Sequence, residues 1–250
     1  ELLRESAADV GNDHRLGAHE APPAIISVYL GAQLEDVISQ LVSTGSATHS
    51  IKRERLDTGV NTLPDFAKDA TDRNRTAPIA FTGNKFEFRM VGSRDSVAAS
   101  TIVLNTIVAE AFADACDYLE AQEDFSMGVH DLIKEYAAEH ERILFSGNGY
   151  SNEWVKEAER RGLPNIATMV EAIPHLVTDK SVSLFERFGV FTKAELESRA
   201  EIQYETYAKV INIEARSMID IASKHIIPAV IKYITSLATS VNQVRMACAD

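Results

Sequence analysis

Gly83-Asn84-Lys85-Phe86-Glu87-Phe88-Arg89 alternates two bases and one acid with two aromatics. The side chains of a β-strand point alternately to opposite faces. This spacing therefore puts Lys85, Glu87 and Arg89 on one face and Phe86 and Phe88 on the other. A strand with an apolar back and a charged front can present a carboxylate and cations to a phosphate or a metal. Upstream lie two more charged segments, Asn12-Asp13-His14-Arg15-Leu16-Gly17-Ala18-His19-Glu20-Ala21-Pro22-Pro23 and Arg73-Asn74-Arg75-Thr76-Ala77-Pro78.

Around this strand the first part of the chain is mixed. A short helix is expected to run to about Val10 and to stop at Gly11-Asn12. Ala24–Leu30 is apolar and β-branched and reads as a buried strand. Gln33–Val42 reads as an amphipathic helix, Ser43–Asp72 as loops with possible short strands, and Ile79–Thr82 and Lys85–Met90 as strands. From Val97 the pattern turns helical. Val97–Glu123 is alanine-rich and apolar and is expected to pack on several sides. Further helices are expected from Ser126, Ser151 and Thr178. Thr192-Lys193-Ala194-Glu195 reads as a capping box opening a long helix, which Pro228 should kink or break. The fold class is α+β, antiparallel strands plus helices followed by an all-α extension.

The chain has 250 residues, 45% of them hydrophobic, enough for a real core in one or two domains. The formal net charge of -12 argues against nucleic acid as a partner, because phosphate binding favours a basic surface. Only Cys116 and Cys248 occur, without CxxC spacing. That fits a reducing cytoplasm and offers no thiolate metal site. No apolar run reaches the roughly 18–20 residues of a membrane helix, so no membrane partner is expected. The chain reads as helix from Glu1 with no initiator methionine, so it is expected to begin inside a larger protein.

The charged residues admit two readings each. Glu87 could ligate a hard divalent cation, since Mg²⁺ commonly bridges carboxylates and phosphates. It could equally form a cross-strand ion pair on a solvated face. Arg15, Arg75 and Arg89 carry guanidinium forks suited to carboxylate and phosphate; alone, they could be three unrelated surface arginines. Glu20 lies in a Gly/Ala/Pro loop that could act as a movable flap carrying a base, or as a surface turn. His14 and His19 read as polar surface residues rather than metal ligands.

At these residues the chain resembles the glutamine synthetase family, in particular its large type III branch. Asn12–Pro23 is similar to the segment with an arginine followed by Gly-X-Glu-Ala-Pro. Arg73-Asn74-Arg75-Thr76-Ala77 is similar to Arg-Asn-Arg-Ser-Ala. Phe86-Glu87-Phe88-Arg89 resembles the apolar-Glu-apolar-Arg strand. The motifs occur in the family's order and are followed by the Val97 helix.

The resemblance implies the C-terminal part of a catalytic domain over residues 1–124 and a helical C-terminal domain over 125–250. It implies an ATP-dependent glutamate–ammonia ligase of glutamine biosynthesis in a cytoplasmic homo-oligomeric ring with shared active sites. Arg15 would hold the glutamate carboxylate. Glu20, on the closing flap, would take a proton from bound ammonium. Arg75 would contact the transferring phosphate, and Lys85 would stand near ATP. Glu87 would ligate Mg²⁺ or Mn²⁺, and Arg89 would bind the reacting γ-carboxylate. The Arg15-to-Glu20 spacing is one residue shorter than in the bacterial type, and an expected arginine after Arg75 is matched by Ala80. The family's remaining metal ligands belong upstream, so this chain alone is expected to be inactive. A γ-glutamyl-polyamine ligase and a non-catalytic helical assembly module are the alternatives.

Overall fold

A computed structural model describes residues 1–51 and 76–248, with the strand backbones at 55–56 and 66–67. The chain is α+β. It divides into two compact units, Glu1–Ile202 and Gln203–Asp250.

The first unit opens with two short helices, α1 (Leu2–Glu5) and α2 (Asn12–Arg15). The helix expected to reach Val10 thus ends five residues early, and Asn12 begins a helix rather than ending one. Buried side chains explain the break. Arg4 is wholly buried and donates from Nε to the Ile166 carbonyl (2.9 Å) and from Nη2 to the Ala167 carbonyl (3.2 Å). Asn12 donates to the Ala7 carbonyl (2.7 Å), a group that a continuous helix would have consumed.

Strand β1 (Val28–Tyr29) is shorter than the expected Ala24–Leu30 strand. Ala21, Ala24 and Ile25 are buried, but their backbones mostly do not join a ladder. The apolar run reports burial, not pairing. Ala24 instead accepts from Ile166 N–H (3.3 Å), and Val28 accepts from Phe145 N–H (3.1 Å). After α3 (Ala32–Thr44), β2 (Arg55–Leu56) and β3 (Phe66–Ala67) form a small antiparallel pair.

β4 (Ile79–Phe81) and β5 (Phe86–Phe88) form an antiparallel hairpin, and β1 adds to β4 in parallel, giving the order β1-β4-β5. The hairpin closes where Thr82 N–H donates to the Lys85 carbonyl (2.9 Å), around Gly83 at φ +100°. Only glycine adopts that conformation without strain. Phe81 and Phe86 pack ring to ring at 5.2 Å, though Phe86 remains largely exposed.

The helical part follows as α4 (Ala98–Glu120), α5 (Phe125–His140), α6 (Asn152–Arg160), α7 (Met169–Ala172), α8 (Asp179–Arg187) and α9 (Lys193–Ile221). Side-chain caps set the starts. Ser151 accepts from Trp154 N–H, Thr178 accepts from Ser181 N–H, and Thr192 and Glu195 bond reciprocally. α4 departs from expectation. It packs against α1, α5 and α8, yet only Ser100, Val103 and Thr106 are buried, while Val108 and Phe112 are exposed. By length and composition it is also the one helix among the described residues that could cross a membrane, contrary to the sequence-based expectation. Glu110 on α4 pairs with Arg187 of α8 at 2.7 Å, as in a helix packed within a folded unit.

The core cluster joins both halves of the first unit: Ile25 meets Trp154, Ala158 and Leu163, with Ile143 and Phe145 against them. Phe145 stacks on Trp154 at 3.7 Å.

In the second unit, α9 ends in a π-helical turn at Ala222–Ile226, and α10 (Ile227–Ala247) carries Pro228 in its first turn. Proline offers no N–H and crowds the preceding turn, and an i→i+5 turn relieves both. The kink expected at Pro228 is absorbed there. Ile227, Val230, Ile234, Leu237, Val241 and Val244 line α10 at alternating three- and four-residue spacing, all exposed.

Candidate functional site

α2 supplies Arg15, and β5 with the residue on either side supplies Lys85, Glu87 and Arg89. These three alternate along the strand and share one face, as the spacing predicts. Lys85 Nζ lies 3.2 Å from Glu87 Oε1. Arg89 donates to Glu87 Oε2 from Nε (3.3 Å) and Nη2 (3.2 Å). The hydrogen bond from Lys85, then that from Arg89, holds the Glu87 carboxyl below its ordinary range. Glu87 is therefore an anion at neutral pH, open to solvent on the Lys85 side, with the Arg89 side chain largely buried behind it. Directly opposite on β4 stands Ala80, fully buried. The position where the resemblance expects an arginine thus holds a methyl group beside the carboxylate.

One residue past Arg89, the Met90 carbonyl joins β5 to α2. Arg15 donates to it from Nη2 and Asn12 from Nδ2 (3.0 Å). Asn12 Oδ1 in turn accepts from Arg15 Nε (2.9 Å). Arg15 is oriented by two acceptors and lines a cleft of about 300 Å³. Asp9, Asn12, Arg15, Glu20 and Arg94 line this cleft. Arg94 pairs with Asp9 at 3.5 Å. Beside it, burial pushes the Asp95 carboxyl up and Asp9 adds to the rise, opposed by Arg94. A wider hollow of about 620 Å³, lined by Glu35, Arg142 and Arg161 among others, contains none of the sequence-selected residues.

Glu20 sits on an exposed loop. Gly17 N–H bonds the Ala21 and Pro22 carbonyls (3.3 and 3.1 Å), pinching the loop at its base. Residues 17–20 are exposed and 21–25 buried, so an exposed tip rises from a buried base. His19 is the one non-glycine among the described residues with positive φ, at 64°. Its ring packs on Tyr150 at 4.9 Å.

Glu87 is an oxygen donor of the type that a hard cation takes, but it is alone. Among the described residues no group of three or more His, Cys, Asp or Glu could hold a metal. Any metal held by Glu87 needs ligands from outside the described residues. Arg75, with Arg73 and Asn74, also lies outside the described residues.

Comparison with known proteins decides the family. Over 247 residues the chain is 43% identical to "Type-3 glutamine synthetase" of Dictyostelium discoideum, covering 98% of this chain and 34% of that protein. The chain belongs to the glutamine synthetase family. It is 40% identical to a glutamine synthetase of Butyrivibrio fibrisolvens, covering 97% of this chain and 34% of that protein. With a glutamine synthetase of Bacteroides fragilis (strain YCH46) it is 38% identical, covering 93% and 33%. Residues 128–245 match the family profile described as "Glutamine synthetase C-terminal domain". The chain spans about one third of the length of the curated relatives it matches.

Within this chain the structure brings Arg15 and Glu20 to one cleft and Lys85, Glu87 and Arg89 to one strand face. The Met90 carbonyl joins the two groups. Asn12, Arg94 and Tyr150 have no role assigned from their sequence pattern. Arg94 carried a weak signal, a Gly-Ser-Arg-Asp turn just after the charged strand. Tyr150 carried none, because its contact with His19 spans over a hundred residues.

Proposed function

We propose that this chain forms the C-terminal part of an ATP-dependent glutamate–ammonia ligase. A catalytic-domain segment over 1–124 would be followed by a helical domain over 125–250. The carrying observation is the Met90 carbonyl, which fixes Arg15 relative to the Lys85–Glu87–Arg89 face. Family membership and the motif order support the same reading.

Two cationic groups held in register suit a substrate with two carboxylates. Arg15 holds the α-carboxylate of glutamate from the cleft. Arg89 holds the γ-carboxylate that is phosphorylated. A carboxylate is a poor electrophile, and its conversion to an acyl phosphate needs the charge of two anions neutralised as they approach. Lys85 and Arg89 supply cations there, and Arg75 contacts the transferring phosphate. A Mg²⁺ or Mn²⁺ ion with Glu87 among its ligands would supply charge neutralisation at the ATP phosphates. Glu20 then takes a proton from bound ammonium, and ammonia attacks the acyl carbon, releasing phosphate. The loop of Gly17–Glu20 covers the intermediate and excludes water. The metal site needs further ligands, so the 250-residue chain alone is inactive. The whole protein is read as a cytoplasmic homo-oligomeric ring with shared active sites; two exposed free cysteines are compatible with that compartment.

The test is glutamine formation by the full-length protein from ATP, glutamate and ammonium, with Glu20→Gln, Glu87→Ala and Arg89→Ala beside it. Loss of turnover in assembled variants is expected. Retained ligase activity in these variants would make this region a helical assembly module instead. Preference for a polyamine over ammonium would reassign the acceptor.

A further inference from the structure

We propose that Tyr150 is a positioning residue for the flap, holding Glu20 over the reacting carbonyl through the ring contact with His19. The inference rests on the ligase reading above and names the device that keeps the flap shut.

The flap tip has little of its own to hold it. Residues 17–20 are exposed, and the bonds from Gly17 close only the base of the loop. His19, next to Glu20, adopts φ 64°. A non-glycine residue in that region is strained and persists only where its surroundings hold it there. Among the described residues its ring contact is with Tyr150, with centroids 4.9 Å apart and planes inclined at 48°. Fixing the His19 ring fixes the direction in which the next side chain, Glu20, leaves the backbone.

Tyr150 is itself on a rigid support. Its N–H donates to Asn148 Oδ1 (3.0 Å), and Ser151 N–H donates to the Asn148 carbonyl (3.2 Å). Ser151 then caps α6, which carries the buried Trp154. Gly149 lies so close to the Thr76 carbonyl that a Cβ there would stand 2.4 Å from the oxygen. One turn, Gly147–Tyr150, therefore braces both the flap and the segment next to Arg75. The turn lies within the region matching the family's C-terminal domain, so that domain contributes to the site.

The consequence is chemical. If the flap opens early, water attacks the acyl carbon of the γ-glutamyl phosphate. The carbon–oxygen bond to phosphate breaks, giving glutamate and inorganic phosphate, and ATP is spent with no glutamine formed.

The test measures glutamine and phosphate together in the full-length protein. Wild type should release one phosphate per glutamine. Tyr150→Ala should lower glutamine turnover by about tenfold or more and release phosphate in clear excess. Tyr150→Phe keeps the ring and should restore the coupling. His19→Gly removes the other ring, suits the positive φ, and should leak like Tyr150→Ala; it serves if Tyr150→Ala does not assemble. One-to-one stoichiometry in Tyr150→Ala, or in His19→Gly, overturns the proposal, as does Tyr150→Phe leaking as much as Tyr150→Ala. Glu20→Gln separates the two ideas. Full activity there sinks the reading of this region as part of the ligase site, whereas loss there with tight coupling in Tyr150→Ala sinks only the role of Tyr150.

Discussion

Asn12 and Arg15, three residues apart on one helical turn, both donate to the Met90 carbonyl. The oxygen belongs to the residue after Arg89, so a single acceptor ties the cation of the cleft to the cation of the strand. Asn12 is almost completely buried and also bonds Ala7 and Arg15 Nε. Asn12→Ala leaves a buried carbonyl short of its donor and frees Arg15 to rotate. A buried group left unpaired costs about 1–3 kcal/mol. In the full-length protein the variant should melt earlier and show a glutamate KM raised about tenfold, the size of one charge-assisted bond, with the ATP KM little changed. An equal rise in both KM values would mean that Asn12 supports the fold without orienting Arg15.

Glu87 owes its lowered pKa first to Lys85 and then to Arg89. Lys85→Met removes the larger cause, so the carboxyl moves up towards its ordinary 4.5. The anion is then lost at a higher pH than in wild type. If Glu87 acts as an anion in turnover, the acid limb of the kcat/KM profile shifts to higher pH in Lys85→Met. Superimposable acid limbs would show that protonation of Glu87 does not govern the rate.

What could be read from the sequence was local. The capping residues Ser151, Thr178, Thr192 and Glu195 bond groups within one turn, so their spacing states the helix starts. The charged face of β5 followed from the period of two. What failed was long-range. Ala24–Leu30 is apolar because Ile25 packs on Trp154, not because the segment runs through a sheet. Arg4 interrupts the first helix to reach carbonyls more than 160 residues away. In the site, Arg15, Glu20 and Glu87 were visible as motifs. The atoms that align them, the Met90 carbonyl and the Tyr150 ring, carry no motif.

Gly149 approaches the Thr76 backbone closely because it has no side chain. A Cβ there would stand 2.4 Å from the Thr76 carbonyl oxygen, and backbone cannot step aside as a flexible side chain can. Gly149→Ala should therefore destabilise by about 1–3 kcal/mol, the usual cost of overpacking. It should also lower turnover in the full-length protein by displacing the Thr76 backbone. Thermal unfolding and steady-state rates check the two effects separately. A melting point equal to wild type would refute the close contact.

Glu157 gives a pH test of the helical part. Arg160, then Arg161, hold its carboxyl at about 2 against an ordinary 4.5. A carboxyl lowered on folding stabilises the folded state above its unfolded pKa and loses that contribution as pH falls through the folded value. Glu157→Gln should thus lower the unfolding midpoint at neutral pH. The gap from wild type should hold down to about pH 4.5, narrow below it, and close near pH 2. The carboxylate is solvent-exposed, so the gap should be small and should shrink further in salt. Arg161 also lies 5.6 Å from the centroid of Trp154, the one tryptophan of the chain. Tryptophan emission of the 250-residue chain can therefore follow the transition where the pair is anchored. A gap independent of pH would mean that Glu157 contributes through packing rather than charge.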